Sequence, residues 1–294
     1  MHQEKKDRII AISLFTLFTL LTSVIAIRQK QSSGLAATDG FFGDIIVDND
    51  LAYGTLPLQK LDLCEPKNIS GKVPGVILIH GGGGDKSGYS LICRQLAKQG
   101  LVAIAVNFRE SPPPGYKVIL PDNRDALSWL KQRPEVDPQR IAAMGGSLGG
   151  YVSSLLGTME FPNKVNCVAN NYGPTDFTDP TFYQDSPVKQ QFVDKFFGGV
   201  TYEDDPQLYR DLSPITHVSV QDPAAWLFTR STNDHLVPRS QMERMVAALK
   251  SVGISSQIYE YEGTGGGHAN NLSPKENLKL LDTRISFLVQ CLSK

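Results

Sequence analysis

The stretch Gly145-Gly146-Ser147-Leu148-Gly149-Gly150 places a serine in a Gly-x-Ser-x-Gly frame. It follows the apolar run 141–144 and precedes a helix-compatible stretch over residues 151–159. A tight turn between a strand and a helix exposes the serine side chain, and the glycines let the two backbones approach each other. The following helix directs its N-terminal N–H groups and positive dipole end toward an anion at the serine. This setting favours Ser147 as a nucleophile, although small residues also surround serines in ordinary loops.

A reactive serine needs an imidazole base and a carboxylate that orients the imidazole. In a parallel sheet such groups gather at the carboxyl ends of the strands. His268 follows the last predicted strand, 256–261, in a glycine-rich loop, and Asp234 follows the predicted strand 224–229. The chain order serine, aspartate, histidine is one that hydrolases use. We therefore predict that His268 is the base and that Asp234 orients it.

Other acidic and histidine residues fit these roles less well. Four histidines lie before the apolar N-terminal run, in a glycine run, in a predicted surface turn or beside the acid: His2, His80, His217 and His235. Asp222 precedes its strand and therefore lies at the opposite end of the sheet. Two simpler interpretations remain open: Asp234 as a cap of the following helix, and His268 as a solvated loop residue.

A second glycine run, His80-Gly81-Gly82-Gly83-Gly84, follows the predicted buried strand 76–79. Acyl transfer creates a negative oxygen, which backbone N–H groups stabilise. We predict Gly82, Gly83 and Leu148 as the oxyanion hole. A phosphate loop is disfavoured because Asp85 stands where a glycine is required before Lys86, and its charge repels phosphate. No metal-binding spacing such as His-Glu-x-x-His is present, and the predicted chemistry needs no cofactor.

From about residue 45, short apolar runs alternate with helix-period segments, which is typical of an α/β fold with a mostly parallel twisted sheet and helices on both faces. The predicted strands are 45–47, 52–64, 76–79, 101–106, 141–144, 165–170, 224–229 and 256–261. The predicted helices are 89–98, 122–132, 151–159, 188–197, 206–211, 239–251 and 274–292. Residues 177–212 form a small lid-like insertion, whose aromatic residues either shape a substrate pocket or belong to the core: Phe182, Tyr183, Phe192, Phe196 and Phe197.

The N-terminus is predicted to be separate from this fold. Residues 9–27 form an uncharged apolar run between basic residues, long enough to cross a bilayer. We interpret residues 1–30 as a signal peptide or membrane anchor, 31–44 as a linker and 45–294 as the catalytic domain. The catalytic domain is therefore expected outside the cytoplasm, secreted, periplasmic or attached to the membrane.

Composition gives weaker constraints. With 29 basic and 30 acidic residues, the chain has no charge excess that would indicate a nucleic-acid partner. The four cysteines are widely spaced, and the sequence leaves their pairing open. Cys167 lies in an apolar run, which favours a small core residue there.

Four motifs resemble those of one superfamily: His80-Gly81-Gly82-Gly83, Asn107-Phe108-Arg109, Val136-Asp137-Pro138-Gln139-Arg140-Ile141 and Tyr172-Gly173-Pro174-Thr175-Asp176. From about residue 45 onward, the chain resembles the α/β-hydrolase superfamily, in particular its small esterase/lipase branch that includes bifunctional feruloyl and acetylxylan esterases. This resemblance implies a serine hydrolase that cleaves small-molecule or carbohydrate-linked carboxylic esters through an acyl-enzyme. Ser147, Asp234 and His268 match the superfamily's triad positions.

Two other functions stay open. The segment Gly145–Tyr151 is also similar to the nucleophile segment of the prolyl oligopeptidase family, which implies a peptidase or deacylase acting on amides. A non-catalytic binding protein can use the same fold, because fold does not dictate function. The sequence leaves the oligomeric state and the natural substrate open.

Overall fold

A computed structural model describes residues 44–159, 164–184, 189–263, 267–268 and 272–293. These residues all belong to a compact unit that begins at Asp44. The predicted signal or anchor segment and the linker up to residue 43 lie outside the described residues. Of the helices within the described ranges, none combines the length and apolar character that a membrane span requires.

Eight strands form one sheet in the order β1-β2-β4-β3-β5-β6-β7-β8. The strands are β1 Ile45–Ala52, β2 Lys60–Pro66, β3 Val73–Ile79, β4 Val102–Val106, β5 Val136–Gly146, β6 Cys167–Asn171, β7 Ala225–Ser231 and β8 Ser256–Tyr261. Only the pairings that involve β1 and β2 are antiparallel; the others are parallel. Strands β3 and β4 are apolar runs because helices cover both faces of the sheet there. The predicted mostly parallel sheet is confirmed.

Helices cover both faces of the sheet. The α-helices of the described residues are α1 Ser90–Lys98, α2 Tyr116–Lys131, α3 Leu148–Thr158, α4 Pro180–Gln184, α5 Lys189–Phe196, α6 Pro206–Asp211, α7 Arg239–Ser251 and α8 Pro274–Leu292. Of these, α4, α5 and α6 belong to the insertion. On β3, Val76 and Leu78 face the layer of α1 and α8, whereas Ile77 and Ile79 face the layer of α2, α3 and α7. This alternation follows from the two-residue period of a strand. Because β3, β5 and β7 run in the same direction, their carboxyl ends lie at one edge of the sheet.

Two predicted elements have different bounds in the structure. The predicted strand 52–64 divides into the end of β1, a turn over residues 53–59 and β2. The helix predicted from residue 122 begins at Tyr116, so Pro121 lies inside α2. A proline interrupts helical hydrogen bonding, but Ile119 and Leu120 are buried against the sheet. Burial of this apolar face outweighs the local preference of proline.

The aromatic residues of the insertion form part of the core. Phe177, Phe182, Phe196 and Phe197 are buried and contact one another, and Phe177 also contacts Tyr151 of α3. Clustered aromatic rings contribute strongly to core stability. The described part of the insertion is thus anchored behind the nucleophile turn, which favours the core interpretation of these aromatic residues.

Two disulfide bonds join helices to the sheet. Cys64 of β2 pairs with Cys93 of α1, and Cys167 of β6 pairs with Cys291 of α8. The expectation that Cys167 is only a small core residue is therefore wrong: it is buried, but it is covalently linked to a residue 124 positions away. Sequence spacing does not show this pair, because the sheet brings the two segments together.

Removing the Cys167–Cys291 bond should destabilise the fold. The paired change Cys167→Ala and Cys291→Ala should lower the free energy of unfolding by about 2–4 kcal/mol, because the bond closes a long loop in the unfolded chain. Urea unfolding of the oxidised proteins measures this difference. Equal stability of the variant and the wild type would contradict the assigned pairing.

Candidate active site

Ser147 occupies a strained turn between β5 and α3. Its φ is 54° and its ψ is −120°, a backbone conformation that non-glycine residues rarely adopt. A Cβ at Gly149 would clash with the carbonyl oxygen of Ile79, so only glycine allows this approach of α3 to β3. Asn171 accepts the Ser147 N–H at 2.9 Å, which ties the turn to β6. The predicted strand-to-helix turn is therefore present, with the serine side chain at the end of the sheet.

A chain of hydrogen bonds joins the three residues predicted for the triad. His268 Nε2 lies 3.0 Å from Ser147 Oγ. His268 Nδ1 lies 2.9 Å from Asp234 Oδ2 and 3.1 Å from Oδ1. The carboxylate accepts the Nδ1 hydrogen, which leaves Nε2 to accept the hydroxyl hydrogen of Ser147. The Asp234 side chain is fully buried and that of His268 is 15% exposed, so the carboxylate acts on the imidazole with little solvent screening.

Asp234 is held by its own loop. Its Oδ1 accepts the N–H groups of Leu236 and Val237 at 2.9 and 3.1 Å. Helix α7 begins later, and its cap residue is Pro238, so Asp234 does not cap that helix. Asn233 Nδ2 donates to the carbonyl oxygen of Gly263 at 2.5 Å and links the aspartate loop to the segment after β8. These bonds fix the carboxylate for contact with His268.

The other described histidines have different environments. His80 stacks on Phe108, with ring centroids 4.2 Å apart, and burial lowers the pKa of His80. His217 Nε2 lies 2.8 Å from the carbonyl oxygen of Asp211, and His235 is exposed. His2 lies outside the described residues. Among the described histidines, His268 is the one bonded to Ser147.

The glycine loop lies against the serine turn, but one predicted donor is already engaged. A Cβ at Gly81 would lie 3.2 Å from Ser147 Cβ, and one at Gly82 would lie 3.8 Å from Leu148 Cδ2. Leu148 is the first residue of α3, so its N–H has no partner within the helix. The N–H of Gly83, however, donates to Glu110 Oε1 at 2.8 Å. The prediction for Gly83 therefore needs correction: its N–H bonds to a carboxylate that the sequence did not indicate.

Tyr172 is a residue of the site that sequence reasoning did not assign. Its ring meets the imidazole of His268 edge-on, with centroids 5.1 Å apart and planes at 71°. Its backbone is left-handed, with φ at 48°, and its N–H donates to the carbonyl oxygen of Thr229 at 2.7 Å. Burial raises the pKa of Tyr172, so its phenol stays protonated at neutral pH. Tyr172 thus positions the imidazole from one side. In the sequence, its place directly after a predicted strand was the feature that could have indicated a residue of the site.

Shortening Tyr172 should loosen the imidazole. We expect Tyr172→Ala to lower the kcat for an ester substrate about 10- to 100-fold with little change in KM, since small displacements of a base are costly. Tyr172→Phe keeps the ring and should remain within about threefold of the wild type. Steady-state kinetics on both variants, at temperatures where both are folded, measures this. Equal losses in the two variants would contradict a role for the ring.

Within the residues that the structure describes, no group of three or more histidine, cysteine or carboxylate side chains is arranged to hold a metal ion. The arrangement around Ser147 brings together a hydroxyl, an imidazole, a carboxylate and nearby backbone N–H groups, which are the groups that acyl transfer requires. The sheet topology and this strand-to-helix turn define an α/β-hydrolase fold.

Comparison with known proteins agrees with this fold. The BD-FAE family model matches residues 61–249, more than half of the chain, so the chain belongs to the BD-FAE family. The structure of a truncated form of a carbohydrate esterase from gut microbiota superimposes with a TM-score of 0.69 at 19% identity, over 85% of this chain and 97% of that one.

Two relatives carry names that indicate different activities. The probable carboxylic ester hydrolase LipM of Mycobacterium tuberculosis is 29% identical over 79% of this chain and 60% of its own length. Dipeptidyl aminopeptidase BIII of Pseudoxanthomonas mexicana is 26% identical over 82% of this chain and 36% of its own length. This chain therefore matches only part of each relative.

Proposed function

We propose that this protein is a serine hydrolase that cleaves carboxylic esters, with Ser147 as nucleophile, His268 as base and Asp234 as the orienting acid. The observation that carries the proposal is the continuous hydrogen-bond chain from Ser147 Oγ through the imidazole to Asp234. Membership of the BD-FAE family and the similarity to LipM support the ester class.

The geometry suits a two-step acyl transfer. Ser147 Oγ attacks the acyl carbon while His268 Nε2 takes its hydrogen, and Asp234 stabilises the resulting imidazolium. The negative oxygen of the tetrahedral intermediate accepts from the N–H groups of Leu148 and Gly82. Collapse of the intermediate breaks the bond to the alcohol, which leaves with the proton from Nε2. Water then attacks the acyl-enzyme with His268 again as base, which releases the acid and restores Ser147.

A peptidase or deacylase acting on amides is the second candidate, because dipeptidyl aminopeptidase BIII matches 82% of this chain. Amide cleavage uses the same groups but expels a poorer leaving group. The chain spans only 36% of that relative, so the similarity does not extend to the rest of that protein. We place small-molecule or carbohydrate-linked esters first, and amides second.

A matched substrate panel separates the two. The panel contains 4-nitrophenyl acetate, methyl ferulate, an acetylated xylo-oligosaccharide and the 4-nitroanilides of the same acyl groups. We expect a high kcat/KM for at least one ester and a far lower kcat/KM for the matching anilide. The inactive control is the same protein with Ser147 changed to alanine. Efficient cleavage of the 4-nitroanilides without ester hydrolysis would overturn the ester proposal and favour the amide-cleaving alternative.

We also propose that the catalytic unit works outside the cytoplasm. The support is the pair of disulfides, which persist in oxidising compartments, together with the apolar run 9–27. Thiol alkylation during lysis of the producing cells tests this. We expect no free thiols in the protein before reduction and four after it. Four free thiols before reduction would contradict the proposed location.

A further inference from the structure

A carboxylate lies beside the glycine loop of the site. Glu110, on the loop that follows β4, accepts the Gly83 N–H at 2.8 Å through Oε1. Its other oxygen, Oε2, lies 3.6 Å from the position that a Cβ on Gly82 would occupy. That same position is 3.8 Å from Leu148 Cδ2. Glu110 therefore lies next to the loop whose N–H groups would bind the negative oxygen of an acyl-transfer intermediate.

The position of Glu110 is fixed by its neighbour. The Arg109 N–H and Nε both donate to Asp122 Oδ2 at 2.9 Å, and the guanidinium also bonds Oδ1 of the same carboxylate. Asp122 is fully buried and also accepts from Gln59 Nε2 at 2.8 Å. Such a fully bonded carboxylate holds the backbone at Arg109 rigidly. Glu110 thus stands on a fixed support, with its side chain turned toward the glycine loop.

Two basic side chains near the glycine loop are paired with other carboxylates. Arg109 is paired with Asp122. Lys86, at the end of the glycine loop, is paired with Asp62 and Asp50 at 2.7 and 2.9 Å. Each of these cations already has a carboxylate partner. A carboxylate such as that of Glu110 attracts a positively charged group and repels an anion over several ångströms.

We propose that Glu110 is a specificity-determining residue, which selects esters that carry a cationic group close to the scissile carbonyl. The proposal rests on the proposed ester hydrolysis at Ser147. The negative charge also disfavours the oxyanion, but this cost is the same for every substrate and cancels when two substrates are compared. The ratio of kcat/KM for a cationic ester to that for a neutral ester of equal shape therefore measures the effect of the Glu110 charge.

The 4-nitrophenyl esters of 4-(trimethylammonio)butyrate and 5,5-dimethylhexanoate provide such a pair, because their acyl groups share a shape and differ in charge. Glu110→Gln removes the charge but keeps an oxygen that accepts the Gly83 N–H. We expect the ratio of kcat/KM, cationic over neutral, to fall roughly 10-fold or more in this variant. The neutral ester should be hydrolysed at least a third as fast as by the wild type.

Two controls make the test specific. Asp48→Asn removes an exposed carboxylate from the edge strand β1 and should leave the ratio unchanged. Raising the salt from about 20 mM to about 500 mM should lower the ratio in the wild type and not in Glu110→Gln.

An unchanged ratio in Glu110→Gln would overturn the proposal. If both esters also lost activity equally, the role of Glu110 would be confined to holding the loop. If the wild type hydrolysed neither ester nor any other ester tested, the proposed function itself would fail, which is a distinct result.

Discussion

Replacing Ser147 by alanine should lower kcat for 4-nitrophenyl acetate by roughly 10⁴- to 10⁶-fold. The change removes the hydroxyl that lies 3.0 Å from His268 Nε2, so the base has no bound nucleophile to activate. The fold should persist, since alanine is no bulkier than serine in the strained turn and loses no backbone contact. Residual hydrolysis then comes from the oxyanion donors and from binding alone.

The matched control is Ser251→Ala, at the end of α7, whose hydroxyl donates to the carbonyl oxygen of Ala248. Its kcat should stay within about twofold of the wild type, because surface substitutions rarely perturb a fold. Both variants should unfold at nearly the same temperature as the wild type. If Ser147→Ala kept most of the activity while folded, another residue would have to be the nucleophile.

Replacing Asp234 by asparagine should lower kcat by about 10⁴-fold. The asparagine keeps the size of the side chain and one oxygen for the N–H groups of Leu236 and Val237. Its amide can then present hydrogens to Nδ1 of His268, which moves the ring hydrogen to Nε2. In that tautomer the imidazole cannot accept the hydrogen of Ser147. The steady-state kcat of the purified variant measures the loss.

Asp222→Asn provides the comparison. Asp222 lies at the opposite end of the sheet, where it pairs with Lys164 at 3.0 Å. Its replacement should lower stability but leave kcat within about threefold at temperatures where the protein is folded. Similar losses of kcat in both variants would show that any buried carboxylate matters, and would contradict the specific role assigned to Asp234.

Much of this arrangement was predictable from local sequence. The runs that form β3 and β4 are apolar because both faces are buried, and parallel strands place their carboxyl ends at one edge of the sheet. That rule, together with the chain order serine, aspartate, histidine, selected His268 and Asp234 out of several candidates, and the structure joins both to Ser147 in one hydrogen-bond chain. Helices α7 and α8 have the predicted bounds, since apolar periodicity and a terminal glycine or proline mark them.

The remaining features depend on contacts between distant segments. Glu110 reaches Gly83 across 27 positions, so local patterns could not show that this N–H is engaged. The pairing of Cys167 with Cys291 follows from the packing of α8 on β6. Helix α2 extends through Pro121 because tertiary burial outweighs a local preference. Each departure arises where packing or a side chain from elsewhere in the fold decides the local state.

Covalent labelling tests the central proposal most directly. The folded wild-type protein, treated with a fluorophosphonate and mapped by peptide mass spectrometry, should carry one adduct per chain on Ser147, and heat-unfolded protein should carry none. The variant Ser147→Ala, treated in the same way, should carry no adduct. A label on a different residue, or labelling that persists in Ser147→Ala, would contradict the assignment of this serine as the nucleophile.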